Sequence, residues 1–191
     1  QNVKIVQNGE TVPSEKTGRT GALPHIGSAW YRTNFTLSAE ETSKKILILF
    51  AHPAFQKSRI NKTLLNSIKD LEGITINNLY EKYSDFFIDV KAEQQLLKEH
   101  DIIVWHHPFY WYSAPAIIKE WMDLVLEHGF AYGTTGREIQ GKWAMSVIST
   151  GGRKEVYSLT GSNEFTVNQF LAPFNRSATL CRMKYLPPFV V

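Results

Sequence analysis

Residues 101–123, DIIVWHHPFYWYSAPAIIKEWMD, constrain the fold more than any other stretch of the chain. Ile102, Ile103, Val104 and Trp105 form a short, continuous apolar run, the pattern of a strand covered on both faces. An aromatic loop follows, with His106, His107, Phe109, Tyr110, Trp111 and Tyr112 crowded together. The spacing then predicts a helix over 116–127, with Pro115 near its start and Gly129 just past its end, as helix termini prefer. A strand buried on both faces and followed by a helix belongs in a parallel sheet.

The rest of the chain from Lys45 repeats this rhythm. The run ILILFA at 46–51 predicts the first strand. A helix is expected over 60–71, with Ile60, Leu64, Leu65, Ile68 and Leu71 on one face, and Gly73 stops it. Further strands are expected at 74–80 and 143–149, and the last begins at 180–183 or slightly beyond. Helices are expected at 92–99, carrying Leu96 and Leu97, and at 167–179, interrupted near Pro173. The class is α/β: a three-layer sandwich with a five-stranded parallel sheet, helices on both faces and right-handed crossovers. Strand order 2-1-3-4-5 is expected rather than the dinucleotide-binding order, because the first turn reads HPAFQKSRIN and not G-x-G-x-x-G. The closing helix usual for such a sheet has no counterpart before Val191, so the domain over 45–191 is expected to lack it. Residues 1–44 are rich in Thr, Ser, Gly, Asn and Glu and read as a leader or arm, with a short strand at 3–6. Trp30, Tyr31 and Phe35 within that segment call for something to pack on.

Composition narrows the function classes. A chain of 191 residues, 43% hydrophobic and 20% charged, is long enough for one sizeable core. Its net charge of +3 comes from 21 basic and 18 acidic residues with no basic stripe, which argues against nucleic acid. Cys181 is the only cysteine, which excludes an intrachain disulfide. It falls in the predicted fifth strand and reads as a buried structural thiol. No apolar run reaches membrane-spanning length, and the first ten residues lack a signal-peptide core. A cytoplasmic protein is expected.

The chemistry is expected where strands end. Ligands of open α/β sheets bind at the carboxyl ends of the strands. The first turn, from His52 to Asn61, lies between a strand and a helix N-terminus, where backbone N–H groups and the helix dipole favour an anion. Ser58, Asn61 and His52 can each donate to a single phosphate; taken alone, Ser58 reads as a helix cap and His52 as a turn residue. The fourth strand ends in Ser149-Thr150-Gly151-Gly152, whose glycines allow close backbone approach to a ligand. Three loops at neighbouring strand ends, one of them rich in flat aromatic side chains, suit a flat and partly polar heterocycle such as a flavin. His106 and His107 point to opposite faces of a strand, lack Cys, Asp or Glu at ligand spacing, and read as structural rather than metal-binding. His128 reads as a helix C-terminal cap, and no Ser-His-Asp pattern stands out.

These residues resemble the flavodoxin-like NAD(P)H:quinone oxidoreductase family over about 45–191. The carriers are ILILFAHP with Ser58 and Asn61, LEGITINNLYEKYSDFFIDV, DIIVWHHPFYWYSAPAIIKEWMD, HGFAYG, STGG and YLPPF. Within the family, the chain is most similar to the bacterial branch of ancillary flavoproteins of the glutathione-gated potassium efflux system. The resemblance implies FMN, with FAD as the alternative, and NADPH or NADH as hydride donor to a quinone in a ping-pong sequence. It also implies a homodimer with the flavin near the subunit boundary. By position, His52, Ser58, Ile60 and Asn61 match the phosphate-side contacts. Pro108, Phe109, Tyr110, Trp111 and Tyr112 match the loop along one ring edge, and Ser149, Thr150, Gly151 and Gly152 the loop at the other. Phe130 and Tyr132 resemble aromatics that cover the acceptor pocket of the other subunit. Tyr157 matches a tyrosine that handles the proton together with a histidine six residues later. Here that position is Asn163, and an amide is no acid or base at neutral pH. Two other readings stand beside the enzyme. One is a regulatory subunit that docks on a potassium-efflux transporter at the inner face of the cell membrane. The other is a flavodoxin-type electron carrier, a class that tends to be acidic where this chain is slightly basic.

Overall fold

The computed structural model describes residues 43–191, together with the backbone of Ile5–Gln7, Glu10–Val12 and Trp30–Tyr31. The chain divides into two compact units, 1–42 and 43–191. In the first, β1 (Ile5–Gln7) pairs antiparallel with both β2 (Glu10–Val12) and β3 (Trp30–Tyr31). β1 overlaps the strand expected at 3–6; Val3 and Phe35 lie outside the described residues.

The second unit is the predicted α/β sandwich. Its strands are β4 (Ile46–Phe50), β5 (Ile74–Asn78), β6 (Ile102–Pro108), β7 (Trp143–Ser149), β8 (Lys184–Tyr185) and β9 (Phe189–Val190). The order β5-β4-β6-β7-β8 is the expected 2-1-3-4-5, and every pairing is parallel. β8 pairs with Trp143 and Ala144, while β9 pairs with Val147 and Ile148. The fifth position is therefore one strand in two pieces, broken at Pro187–Pro188, where proline supplies no N–H to the ladder.

The helices are α1 (Arg59–Ile68), α2 (Leu79–Lys82), α3 (Val90–Glu99), α4 (Ala116–Val125), α5 (Val167–Phe170) and α6 (Ala172–Leu180). Strand alternation divides the core. Ile48, Phe50 and Val104 pack with Leu65 of α1 on one face. Leu47, Leu49, Ile103 and Trp105 pack with α3, α4 and α6 on the other. On α4, Ile117, Ile118, Trp121 and Val125 are all fully buried, the stripe that sets its orientation. The break between α5 and α6 falls at Leu171, two residues before Pro173, whose ring cannot follow a helical turn.

Several boundaries differ from expectation for physical reasons. The strand at 74–80 ends at Asn78, because Leu79 and Tyr83 turn inward and are buried. β6 runs on to Pro108 and takes both histidines into the sheet. Residues 180–183 are not a strand. Leu180 ends α6, Arg182 takes φ 57° in a turn, and the ladder starts at Lys184. Cys181 caps that helix; it is buried, and burial pushes its thiol up to about 11. α4 ends at Val125, before His128, whose ring instead packs edge-on against Tyr132.

Two buried polar features hold the sandwich. Glu93 of α3 has no solvent exposure and accepts from Asn77 Nδ2 (2.8 Å), Lys82 Nζ (2.8 Å), Tyr83 OH (2.7 Å) and Trp121 Nε1 (2.7 Å). One carboxylate thus joins β5, α2, α3 and α4. Burial and the bond to Glu93 push the Tyr83 phenol up to about 12. On β6, the His107 ring stacks on Phe174 at 5.5 Å and donates from Nδ1 to the Pro108 carbonyl at 2.9 Å, while Nε2 has no partner. Burial holds both His106 and His107 down to about 4.

Glu93→Leu leaves buried donors without an acceptor, and is expected to cost about 3 kcal/mol in urea unfolding. The histidines act through pH. Between about 4 and the unfolded value near 6.5, the unfolded chain binds more protons than the folded one. Stability should therefore be full above pH 6.5 and fall as pH drops toward 4. His107→Phe, which keeps the stack on Phe174, is expected to flatten that decline in the urea midpoint, and an unchanged pH profile would contradict the account.

Candidate functional site

The carboxyl ends of β4, β6 and β7 bring the predicted loops together. The link is Asn61, which is 1% exposed in the first turn of α1. Its Nδ2 donates to Ser58 Oγ at 2.9 Å and to Ser149 Oγ at 3.0 Å, and its Oδ1 lies 2.9 Å from His106 Nε2. Ser58 is the α1 cap and also accepts from the Asn61 backbone N–H at 3.2 Å. The capping reading and the polar-turn reading of Ser58 are thus one geometry. His52 accepts the Ala54 N–H on Nδ1 at 3.1 Å and packs edge-on against Tyr110 at 6.0 Å. Burial lowers its pKa, partly offset by a backbone hydrogen bond. Ile60 sits in the same helical turn and is exposed.

The loop after β6 carries the aromatic wall. Pro108 ends the strand buried, and the Phe109 N–H donates to the Ser149 carbonyl at 2.8 Å, continuing the ladder by one bond. Trp111 and Tyr112 then have φ of 50° and 61°, and the Ser113 N–H closes the turn on the Tyr110 carbonyl at 3.0 Å. Successive left-handed residues in a turn normally call for Asn-Gly. Two large aromatics there are strained, by about 1–2 kcal/mol each. Tyr112 is held by stacking on Phe170 at 5.1 Å, while Trp111 is 94% exposed.

The loop after β7 forms the facing wall. A Cβ on Gly152 would come within 2.9 Å of Val156 and 3.2 Å of the Tyr157 ring, so only glycine lets the loop fold against Tyr157. A Cβ on Gly151 would meet nothing, so its backbone is open to a ligand. Thr150 Oγ1 donates to the Gly152 carbonyl at 3.0 Å, and the Thr150 N–H donates to the Val191 carbonyl at 2.8 Å. Between the walls lies a cavity of about 580 Å³, lined by Phe109 to Tyr112, Gly151, Gly152, Val156, Tyr157 and Asn163. Tyr157 follows a short 3-10 turn, Lys154–Val156, and packs edge-on against Phe109 at 5.8 Å. The Asn163 N–H is fixed on the Val156 carbonyl at 3.1 Å, and its Oδ1 accepts from Tyr112 OH at 3.4 Å.

Phe130 and Tyr132 lie outside this lining, half-buried against the chain's own core. No group of three potential metal-ligating side chains occurs among the described residues. Sequence reasoning missed His106, Val156 and Phe170. Strand alternation is the signal for His106, since it shares the α1 face with Phe50, which touches its ring edge-on at 5.1 Å. Phe170 had no such signal, because a four-residue helix carries no period.

Residues 44–191 match the profile of a family described as having a flavodoxin-like fold. The chain is 48% identical over 147 residues to the glutathione-regulated potassium-efflux system ancillary protein KefG of Pectobacterium atrosepticum, covering 77% of this chain and 80% of that protein. Among solved structures, the general stress protein 14 of Treponema denticola in complex with FMN superposes with TM-score 0.75 at 35% identity, over 76% of this chain and 84% of that one. An NADPH-quinone reductase from P. pentosaceus superposes with TM-score 0.71 at 33% identity, over 77% and 84%. With a parallel 2-1-3-4-5 sheet and a family match over most of its length, the chain belongs to the flavodoxin-like family.

Proposed function

We propose that the chain binds a flavin, as FMN, between the loops after β6 and β7, and uses it to carry a hydride from NADPH or NADH to a quinone. One observation carries this reading. A cavity walled by flat aromatic side chains is joined, through Asn61 and Ser149, to a helix N-terminal turn suited to a phosphate. A planar ring with a phosphate tail fits that pairing. The volume of about 580 Å³ lies in the range of small-molecule sites. The FMN-bound relative from T. denticola supports FMN over FAD. Bound FMN would supply the hydride acceptance and donation.

The chain's own residues do the holding and orienting. His52, Ser58, Ile60 and Asn61 take the phosphate side. Pro108 to Tyr112 line one edge of the ring, and Ser149 to Gly152 the other, with the Gly151 backbone free to donate. Tyr157 and Asn163 face the entering substrate. Asn163 is an amide, so it orients a carbonyl by hydrogen bonding and moves no proton. In this aromatic-walled cavity, donor and acceptor would use the same place in turn. In a homodimer, Phe130 and Tyr132 of one protomer would cover the cavity of its partner.

A second reading is a regulatory subunit that docks on a potassium-efflux transporter at the inner face of the membrane. The 48% identity to KefG favours it. Phe86 and Phe87, exposed on the loop before α3, offer a contact surface. No helix among the described residues is long and apolar enough to cross a membrane. Both roles fit one chain, and potassium flux through the transporter with and without the protein separates them.

The purified protein is expected to show a flavin spectrum, release FMN, bleach with NADPH and recover with quinone. Failure to bind FMN or FAD even after reconstitution would remove the enzyme reading. In the wild type, kcat/KM for quinone should be flat between about pH 6 and 8. Asn163→His places a group with pKa near 6.5 beside Tyr112 and should introduce an inflection there.

A further inference from the structure

The buried hydrogen bonds around Asn61 fix more than its position. An amide side chain has one acceptor oxygen and two N–H hydrogens. Here the nitrogen lies within 2.9 Å of Ser58 Oγ and 3.0 Å of Ser149 Oγ, while the oxygen faces His106 Nε2 at 2.9 Å. Asn61 is 1% exposed, His106 2% and Ser149 9%, so the bonds among these three are buried, while Ser58 is half-buried. If Nε2 carries the hydrogen, it donates to Oδ1, and both amide hydrogens are committed to the serines. Ser58 Oγ already accepts the Asn61 backbone N–H at 3.2 Å, so both its lone pairs are filled. Its own hydrogen can then only donate away from Asn61. Ser149 Oγ also accepts from Asn61, so its hydrogen too points away from the amide nitrogen.

We propose that His106 is a positioning residue for the anion-binding turn. By donating to Asn61, it makes the hydroxyl of Ser58 a donor rather than an acceptor, and so selects a phosphate monoester over a neutral group. The proposal rests on the flavin reading for its natural ligand. His106 touches no part of that ligand; it acts through a relay of one amide. Were the histidine hydrogen on Nδ1 instead, the amide would turn over. Asn61 would then donate to Nε2, and its oxygen would claim the serine hydrogens.

The test has two arms. The first reads the His106 tautomer from ¹⁵N shifts of the full chain, assigned by the signals lost in His106→Gln. A hydrogen on Nε2 is expected, and one on Nδ1 overturns the proposal. The second measures dissociation constants of FMN and of riboflavin, which lacks the phosphate, by flavin fluorescence. His106→Leu is expected to weaken FMN by about tenfold while riboflavin stays within about twofold. His106→Gln, whose amide can donate to Asn61, should restore most of the FMN affinity. Equal weakening of both flavins, or none of FMN, overturns the proposal; should His106→Leu not fold, the tautomer and His106→Gln decide. A wild type that binds neither flavin removes the cofactor reading alone, and the tautomer then decides the relay.

Discussion

Every part of the site is hung on the pairing of β6. That strand shares hydrogen bonds with β4 on one side and along seven positions with β7 on the other. Its alternating side chains tie down both layers of helices. Trp105 and His107 meet Phe174 of α6, and His106 meets Asn61 of α1. Its end delivers the aromatic loop beside the first turn and the β7 loop, because parallel strands in register finish at the same edge. The cavity is a consequence of where three ladders stop.

The sheet order and most elements could be read from sequence because they depend on signals that reach only a few residues. The runs ILILFA and IIVW announce strands covered on both faces, and the missing G-x-G-x-x-G set the strand order. What could not be read depends on contacts distant in sequence. Asn77 lies sixteen residues from the carboxylate it meets on Glu93, and Trp121 twenty-eight. The last strand was expected to begin at 180–183 or slightly beyond, and it begins just beyond, at Lys184. The Arg182 turn comes before it, with its guanidinium donating to the Gly133 and Gly136 carbonyls at 2.9 and 3.0 Å.

The candidate site was legible in the same uneven way. The loops were identifiable because each leaves a strand end. The division of labour between Gly151 and Gly152 was not, since it depends on where Tyr157 packs. Nor was the joint role of Asn61, which reaches Ser149 across 88 residues. A motif shows which residues are available, and only the packing shows which hydrogen each one has left to give.

The turn at Trp111 and Tyr112 has a consequence for selection. Any sequence refined for stability alone would put asparagine and glycine at those positions and relieve the left-handed strain. This chain keeps two rings there, one almost wholly in solvent. Residues that weaken a fold persist when something else rewards them. Drift toward a calmer turn would show up first as a protein that is sturdier on its own and poorer at whatever it meets across that loop.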